Sequence, residues 1–260
     1  MKEHHTLKTF AGKAFVGSRA VFMGYDLHKD LRSIDWVDLY LLSITGKRFS
    51  ENEIKLVQAI WVCTSYPDAR LWNNRVAGLA GSARSTPALG LASACAVSEA
   101  TVYGAHPCTR IADFLQKTQQ KVSQGICLAS IIDAELKQRR IFGYGRPINN
   151  TDERLSWLSE IASKLNLSSG LHYNLAFEIE KILVAKNPVL KMNYAAIICG
   201  LFLDIGLNVE QIKLAIYPML LAGMTPCYTE AAQNAENSLF KLDCTDIDYR
   251  GAPKRNWLPT

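Results

Sequence analysis

The run Ile141–Arg154, I-F-G-Y-G-R-P-I-N-N-T-D-E-R, gathers groups that could do chemistry at one bend. Gly143 and Gly145 flank Tyr144, which lets the backbone turn sharply and approach a ligand, and Arg146 leaves a bend that Pro147 stiffens. Asn150 and Glu153 read as a capping box, and a helix starting there turns its free N–H groups and positive dipole end back toward the loop, where an anion is stabilised. On spacing alone the competing reading is an ordinary glycine turn between helices. A second polar concentration, Tyr66–Arg84, sets Asp68, Arg70, Asn73, Asn74, Arg75 and Arg84 among small residues, as a solvated corner or as the lining of a site. A third is Val102-Tyr103-Gly104-Ala105-His106-Pro107, where the chain must leave a helix and a phenol and an imidazole meet at one turn.

The chain that must position these groups has 260 residues, enough for one large or two smaller domains with substantial cores. Hydrophobic residues make up 48% and charged residues 20%, a globular rather than a disordered balance. The net charge of +5 is spread out, with no Lys/Arg run interleaved with aromatics, which argues against nucleic acid and for an anionic small-molecule substrate. The seven cysteines form no C-x-x-C or other ligand spacing, so reduced thiols and no metal are expected. The start, M-K-E-H-H-T-L-K-T-F-A-G-K, has no apolar h-region, and no apolar run reaches eighteen residues, so a cytoplasmic protein that neither crosses nor leaves by a membrane is expected. His4 and His5 read as surface residues of a frayed terminus rather than metal ligands.

Helical periodicity accounts for most of the rest. Residues 1–34, broken by Gly12, Gly17 and Gly24, read as an extended arm with short turns. A buried helix follows from Asp35 to Gly46, and Ser50 with Glu53 forms a capping box ahead of a helix burying Ile54, Val57 and Trp61. Thr86–Tyr103, rich in small residues, reads as a central helix that neighbours can approach closely. Helices are expected over Arg110–Gln120 and Ser123–Arg140, then through Leu155–Leu165 and Leu175–Leu183, with a break at Ser168-Ser169-Gly170. Asn193–Leu207 is apolar, Asn208–Leu221 buries one face, and Pro218 and Pro226 are expected to end segments, leaving Thr229–Leu242 as a last helix and Cys244–Thr260 as an irregular tail. No alternating strand pattern appears, and the fold class is all-α.

Four stretches resemble the citrate synthase superfamily, nearest its short citryl-CoA-lyase-like branch: R-V-A-G-L-A-G-S before a small-residue helix, the glycine turn after it, G-Y-G-R-P-I-N-N-T-D-E-R, and K-M-N-Y-A-A-I-I-C-G. The resemblance covers about residues 20–260 and implies chemistry on an acyl-CoA. One carboxylate takes a proton from the acyl methyl, one histidine stabilises the enol, and another polarises the oxaloacetate carbonyl, while lyases run the step backwards. The family's L-H-G-G-A, G-F-G-H and N-V-D-F place those groups, and here Tyr103, Arg146 and Asn193 stand at the matching positions. Arg146 still offers charge and donors and Tyr103 one hydrogen bond to an enolate-like oxygen, but an amide at Asn193 cannot serve as base. The family's arginine before the last large helix is replaced around Met224-Thr225.

Two explanations stand. In the first the chain is an enzyme acting on coenzyme A thioesters or other activated acids, with a proton carrier recruited from His106, Asp152, Tyr66 or Tyr144. In the second it binds a metabolite or partner subunit without turnover. The implied site takes Tyr103, Arg146, Asn193 and His106 as reacting groups. Arg75, Arg84, Tyr66, Tyr144 and Arg250 contact substrate, and Gly143, Gly145, Arg154, Lys254 and Arg255 contact the coenzyme. The implied architecture is an all-α homodimer with a large helical domain, residues 1–106 with 216–260, and a small one, residues 107–215. The other subunit's C-terminal tail completes each site.

Overall fold

The computed structural model describes residues 6–101, 103–146 and 151–257, so the expectations for His4, His5, Pro147 and Asn150 lie outside the described residues. Among those residues the fold is ten α-helices with one small sheet. The arm is that sheet: β1 (Gly12–Phe15), β2 (Arg19–Phe22) and β3 (Tyr25–Asp26) pair antiparallel in chain order, with Gly12 opposite Phe22 and Val21 opposite Asp26. No strand was legible there because both faces stay largely exposed, so side chains have no reason to alternate.

α1 (Trp36–Thr45) ends at Gly46 in the left-handed conformation, whose N–H returns to the Leu42 carbonyl at 2.8 Å. α2 (Glu51–Thr64) begins with the expected box: Ser50 Oγ accepts the Glu53 N–H, and Glu53 Oε2 accepts the Ser50 N–H at 2.7 Å. α3 (Trp72–Ser82) and α4 (Pro87–Val97) pack closely because Gly90 faces the Ala80 methyl. α4 stops at Val97 rather than running to Tyr103, and only Gly90 and Ala94 of it are buried, so it is not central within the single chain.

α5 (Ala105–Ser123) starts earlier than expected and takes His106 and Pro107 into its first turn, where proline's missing N–H costs nothing. α6 (Leu128–Gln138) is correspondingly shorter than the expected Ser123–Arg140. α7 (Arg154–Lys164), α8 (Leu171–Lys186) and α9 (Tyr194–Asp204) follow, α9 being buried almost all round. α10 (Val209–Gln233) runs unbroken through Pro218 and Pro226 and takes in only Thr229–Gln233 of the expected last helix, residues 234–242 being turns and irregular chain. A proline frees the carbonyl four residues back. For Pro218 that is Leu214, and the Tyr40 hydroxyl donates to it at 3.1 Å. The expected domain boundary between residues 215 and 216 therefore falls inside a continuous helix.

α1–α4 gather on α10, while α8 and α5 pack on α9, and α5 also meets α10. Among the described residues no helix is long and apolar enough to cross a membrane.

Candidate functional site

The Gly143–Arg146 turn is sewn to the start of α9. Asn193 N–H donates to the Gly143 carbonyl at 2.9 Å, Gly145 N–H donates to Lys191 O at 2.7 Å, and Tyr144 bridges to Met192. A methyl at Gly143 would press on Ile111 and Ala196, so the glycine permits this approach. Asn193 is the N-cap of α9: its Oδ1 accepts the Ala195 N–H and its Nδ2 donates to Gly145 O, both at 3.0 Å. Both ends of the amide are spent on structure. Laying N-V-D-F on Asn193 puts the aspartate's place at Ala195, so that position offers no carboxylate either. Tyr144 turns inward and donates to Ala176 O at 2.9 Å, and burial pushes its phenol well up. Both side chains are thus engaged within the chain, Asn193 on the glycine turn and Tyr144 on α8 rather than on an open surface.

Beside the turn lies an ionic cluster built by the residues that open α7. Asp152, its side chain 0% exposed, takes Arg154 Nε and Nη2 at 2.8 Å each and the Tyr194 N–H at 3.0 Å. Burial pushes this carboxyl up, but the Arg154 guanidinium and the Tyr194 N–H more than reverse that and hold it below the usual range. Arg154 lies 4.3 Å from the Tyr194 ring centre and 5.2 Å from that of Tyr66, stacked on aromatic faces. Arg146 donates from Nη1 to Thr151 O at 3.2 Å and to Glu153 Oε2 at 3.1 Å, with Nε 4.0 Å from Asp152. The Tyr66 hydroxyl donates to the other Glu153 oxygen at 3.4 Å. Two arginines thus face two carboxylates. Of the four, only Glu153 is well exposed, at 60%.

Tyr103 is buried within reach of the Arg154 charge. Burial pushes its phenol up to about 12, with the Arg154 charge pulling part of the way back, so it remains a neutral donor at neutral pH. Cys63 lies against Tyr194; burial raises its thiol although Arg154 opposes, which leaves it protonated. His106 is half-buried, its ring edge-on to Phe142 at 5.9 Å, and Arg140 covers the same phenyl at 4.5 Å.

Of the remaining expected contacts, Arg84 is drawn away: its guanidinium donates to the Ala232 and Asn234 carbonyls at 2.6 and 2.7 Å, capping the C-terminal end of α10. Arg75 donates to the Ala69 and Arg70 carbonyls and stacks on Phe240. Lys254 and Arg255 are exposed on the tail, and Arg250 there pairs with Asp248 at 2.6 Å. Arg146, Arg154, Asp152 and Tyr66 come together, with Tyr103 near enough to feel the Arg154 charge; the tail and Arg84 do not join them within one chain. Tyr194, Cys63 and Glu153 join the cluster without having been singled out as contacts, and only Glu153, expected as a helix cap, carried any signal. Among the described residues no three His, Cys, Asp or Glu side chains are grouped to hold a metal.

No family model matches the chain, and no curated protein matches it. Solved structures do. The chain is similar to citryl-CoA lyase from Hydrogenobacter thermophilus, with a TM-score of 0.84 at 19% identity over 97% of this chain and 98% of that one. It is similar to ATP citrate lyase from Methanothrix soehngenii in complex with citrate and coenzyme A, with a TM-score of 0.81 at 17% identity over 98% of this chain but 43% of that one. Citrate synthase from Thermotoga maritima aligns with a TM-score of 0.67 at 15% identity over 87% of this chain and 60% of that one. The fold is citrate-synthase-like.

Proposed function

We propose that this chain makes or breaks a carbon–carbon bond in an acyl-CoA or related activated acid, with Tyr103 rather than a histidine meeting the enolate-like oxygen. The observation that carries this reading is a phenol kept neutral by burial within the field of Arg154, in a fold shared with a protein bound to citrate and coenzyme A. In the cleavage direction the substrate hydroxyl loses its proton and the electrons of the breaking bond pass to the thioester. The Tyr103 hydroxyl hydrogen-bonds to the oxygen that gains charge, and protonation at carbon releases the acyl-CoA. Among the four candidate proton carriers, Asp152, Tyr66 and Tyr144 are held in internal hydrogen bonds, while His106 makes no side-chain hydrogen bond among the described residues. This reading assigns the proton transfer to His106. The same reading groups residues 1–106 with 216–260 and residues 107–215 as two domains of a homodimer in the cytoplasm. Exposed Arg250, Lys254 and Arg255 then reach the coenzyme in a second copy's site.

The second reading, binding without turnover, is favoured by the locking of Asp152 to Arg154 and of Asn193 to the turn. Following the formation of acetyl-CoA and oxaloacetate from citryl-CoA separates the two: cleavage above a blank, lost in H106A and reduced in Y103F, is expected. Binding of citryl-CoA with no cleavage would leave the second reading. Acetyl-CoA with oxaloacetate is expected to give no thiol release, since no carboxylate stands at Asn193 or Ala195.

Arg146→Lys tests the ligand side. Lysine keeps the charge but loses the paired donors, so ligand binding should weaken by about 1.5–3 kcal/mol for a lost charged hydrogen bond. Arg146 also ties down Thr151 and Glu153, so stability should fall too, but by less than about 1 kcal/mol because Glu153 is exposed. Titration calorimetry and a urea melt on the same protein compare the two losses; a larger loss in stability than in binding would remove Arg146 from the site.

A further inference from the structure

The cluster contains one carboxylate that behaves unlike the other. Asp152 is sealed, bidentate on Arg154 and held by a backbone N–H. Glu153 spreads its two oxygens between groups from separate segments, Oε2 to Arg146 of the glycine turn and Oε1 to Tyr66 of the loop after α2. Its side chain is 60% exposed, whereas Arg146 beneath it is 18% exposed. A carboxylate set between a guanidinium and a phenol, open to solvent on its remaining side, has the arrangement expected of a bound carboxylic acid.

We infer that Glu153 is a specificity-determining residue, an internal carboxylate that occupies Arg146 and Tyr66 until the carboxylate of an incoming acid takes its place. This rests on the proposed function, in which Arg146 receives an oxygen of the ligand. Charge supports an exchange rather than a simple addition. With Asp152 on Arg154 and Glu153 on Arg146, the two arginines are already neutralised, so an added anion would meet no uncompensated cation. When the Glu153 side chain swings to solvent, one guanidinium and one phenol become available together, enough for a single carboxylate group. The same competition penalises ligands without a carboxylate, which cannot replace what they displace.

The experiment compares the wild-type chain with Glu153→Ala and Glu153→Gln, using citrate, oxaloacetate and coenzyme A as separate probes in titration calorimetry. Reaction of Arg146 with phenylglyoxal, located by peptide mass spectrometry, is followed in parallel. In E153A, citrate or oxaloacetate should bind at least tenfold more tightly than in the wild type, coenzyme A should change less, and Arg146 should be modified several-fold faster. E153Q, which keeps an acceptor but no charge, should lie between. Unchanged Arg146 reactivity in E153A would overturn the inference while leaving the functional reading standing. Faster Arg146 modification with no binding of any of the three probes by any variant would overturn the functional reading and, with it, the exchange.

Discussion

Replacing Asp152 by asparagine is expected to lower the unfolding free energy by about 3 kcal/mol or more, read from urea melts at neutral pH. The aspartate is fully buried and neutralises an Arg154 that is itself 19% exposed, and breaking such a pair from one side typically costs about 3–5 kcal/mol because the other charge is left buried. Asparagine retains one acceptor, which places the value toward the lower end. The pH dependence carries a definite sign. The folded Asp152 carboxyl lies below its unfolded value of about 3.9, so its contribution is fully present above that pH and is lost as pH falls through the folded value. The difference between wild type and D152N should therefore be constant from neutrality down to about pH 5 and shrink below about pH 4. A loss under about 1 kcal/mol at neutral pH would mean that the pair is not buried as described.

Gly104→Ala should be more damaging still, preventing accumulation of folded protein or costing about 4 kcal/mol or more. Gly104 sits at φ 87° and ψ −134°, far from any region open to a residue with a Cβ. A methyl there would also overlap the Ser98 carbonyl oxygen, which cannot retreat because it accepts the Ala105 N–H at 2.8 Å. Conformational strain of about 1–3 kcal/mol and an overpacking cost of about 1–3 kcal/mol both apply. Gly125→Ala is the control. Its φ is 85° but an added methyl meets nothing within 4 Å, so strain alone remains, about 1–2 kcal/mol. Equal midpoints for the two variants in a denaturant melt would show that the Ser98 contact does not constrain the turn carrying Tyr103.

Legibility in the sequence follows the distance over which a residue acts. The Ser50–Glu53 box and the Gly46 stop are settled within one helical turn, and both are read from neighbouring residues. Asp204 is different: it receives the His172 and Tyr173 N–H groups at 2.9 and 2.8 Å and so caps α8 from the far end of α9, a pairing no local pattern encodes. Arg84 on the end of α10 and Tyr40 on the Leu214 carbonyl are of the same kind, and the second is why a proline expected to end a helix does not. The site divides in the same way. Arg146 and Tyr103 are legible as groups suited to an anion, because side-chain chemistry is carried by residue type. That Asp152 would be sealed by Arg154, two residues on, depends on α9 and Tyr194 closing over them, and spacing is silent on burial.

The Asn193 bridge bears on how this protein can change over generations. An aspartate at 193 would still cap α9 through the Ala195 N–H, but its second oxygen would face the Gly145 carbonyl across the 3.0 Å now spanned by an N–H donor. Two acceptors at that separation repel, and the turn that holds Arg146 would have to move away. The residue at 193 and the conformation of the glycine turn are therefore epistatic. A lineage carrying the amide could not acquire an acid at 193 by one substitution without also reshaping Gly143–Arg146, so the two features must change together.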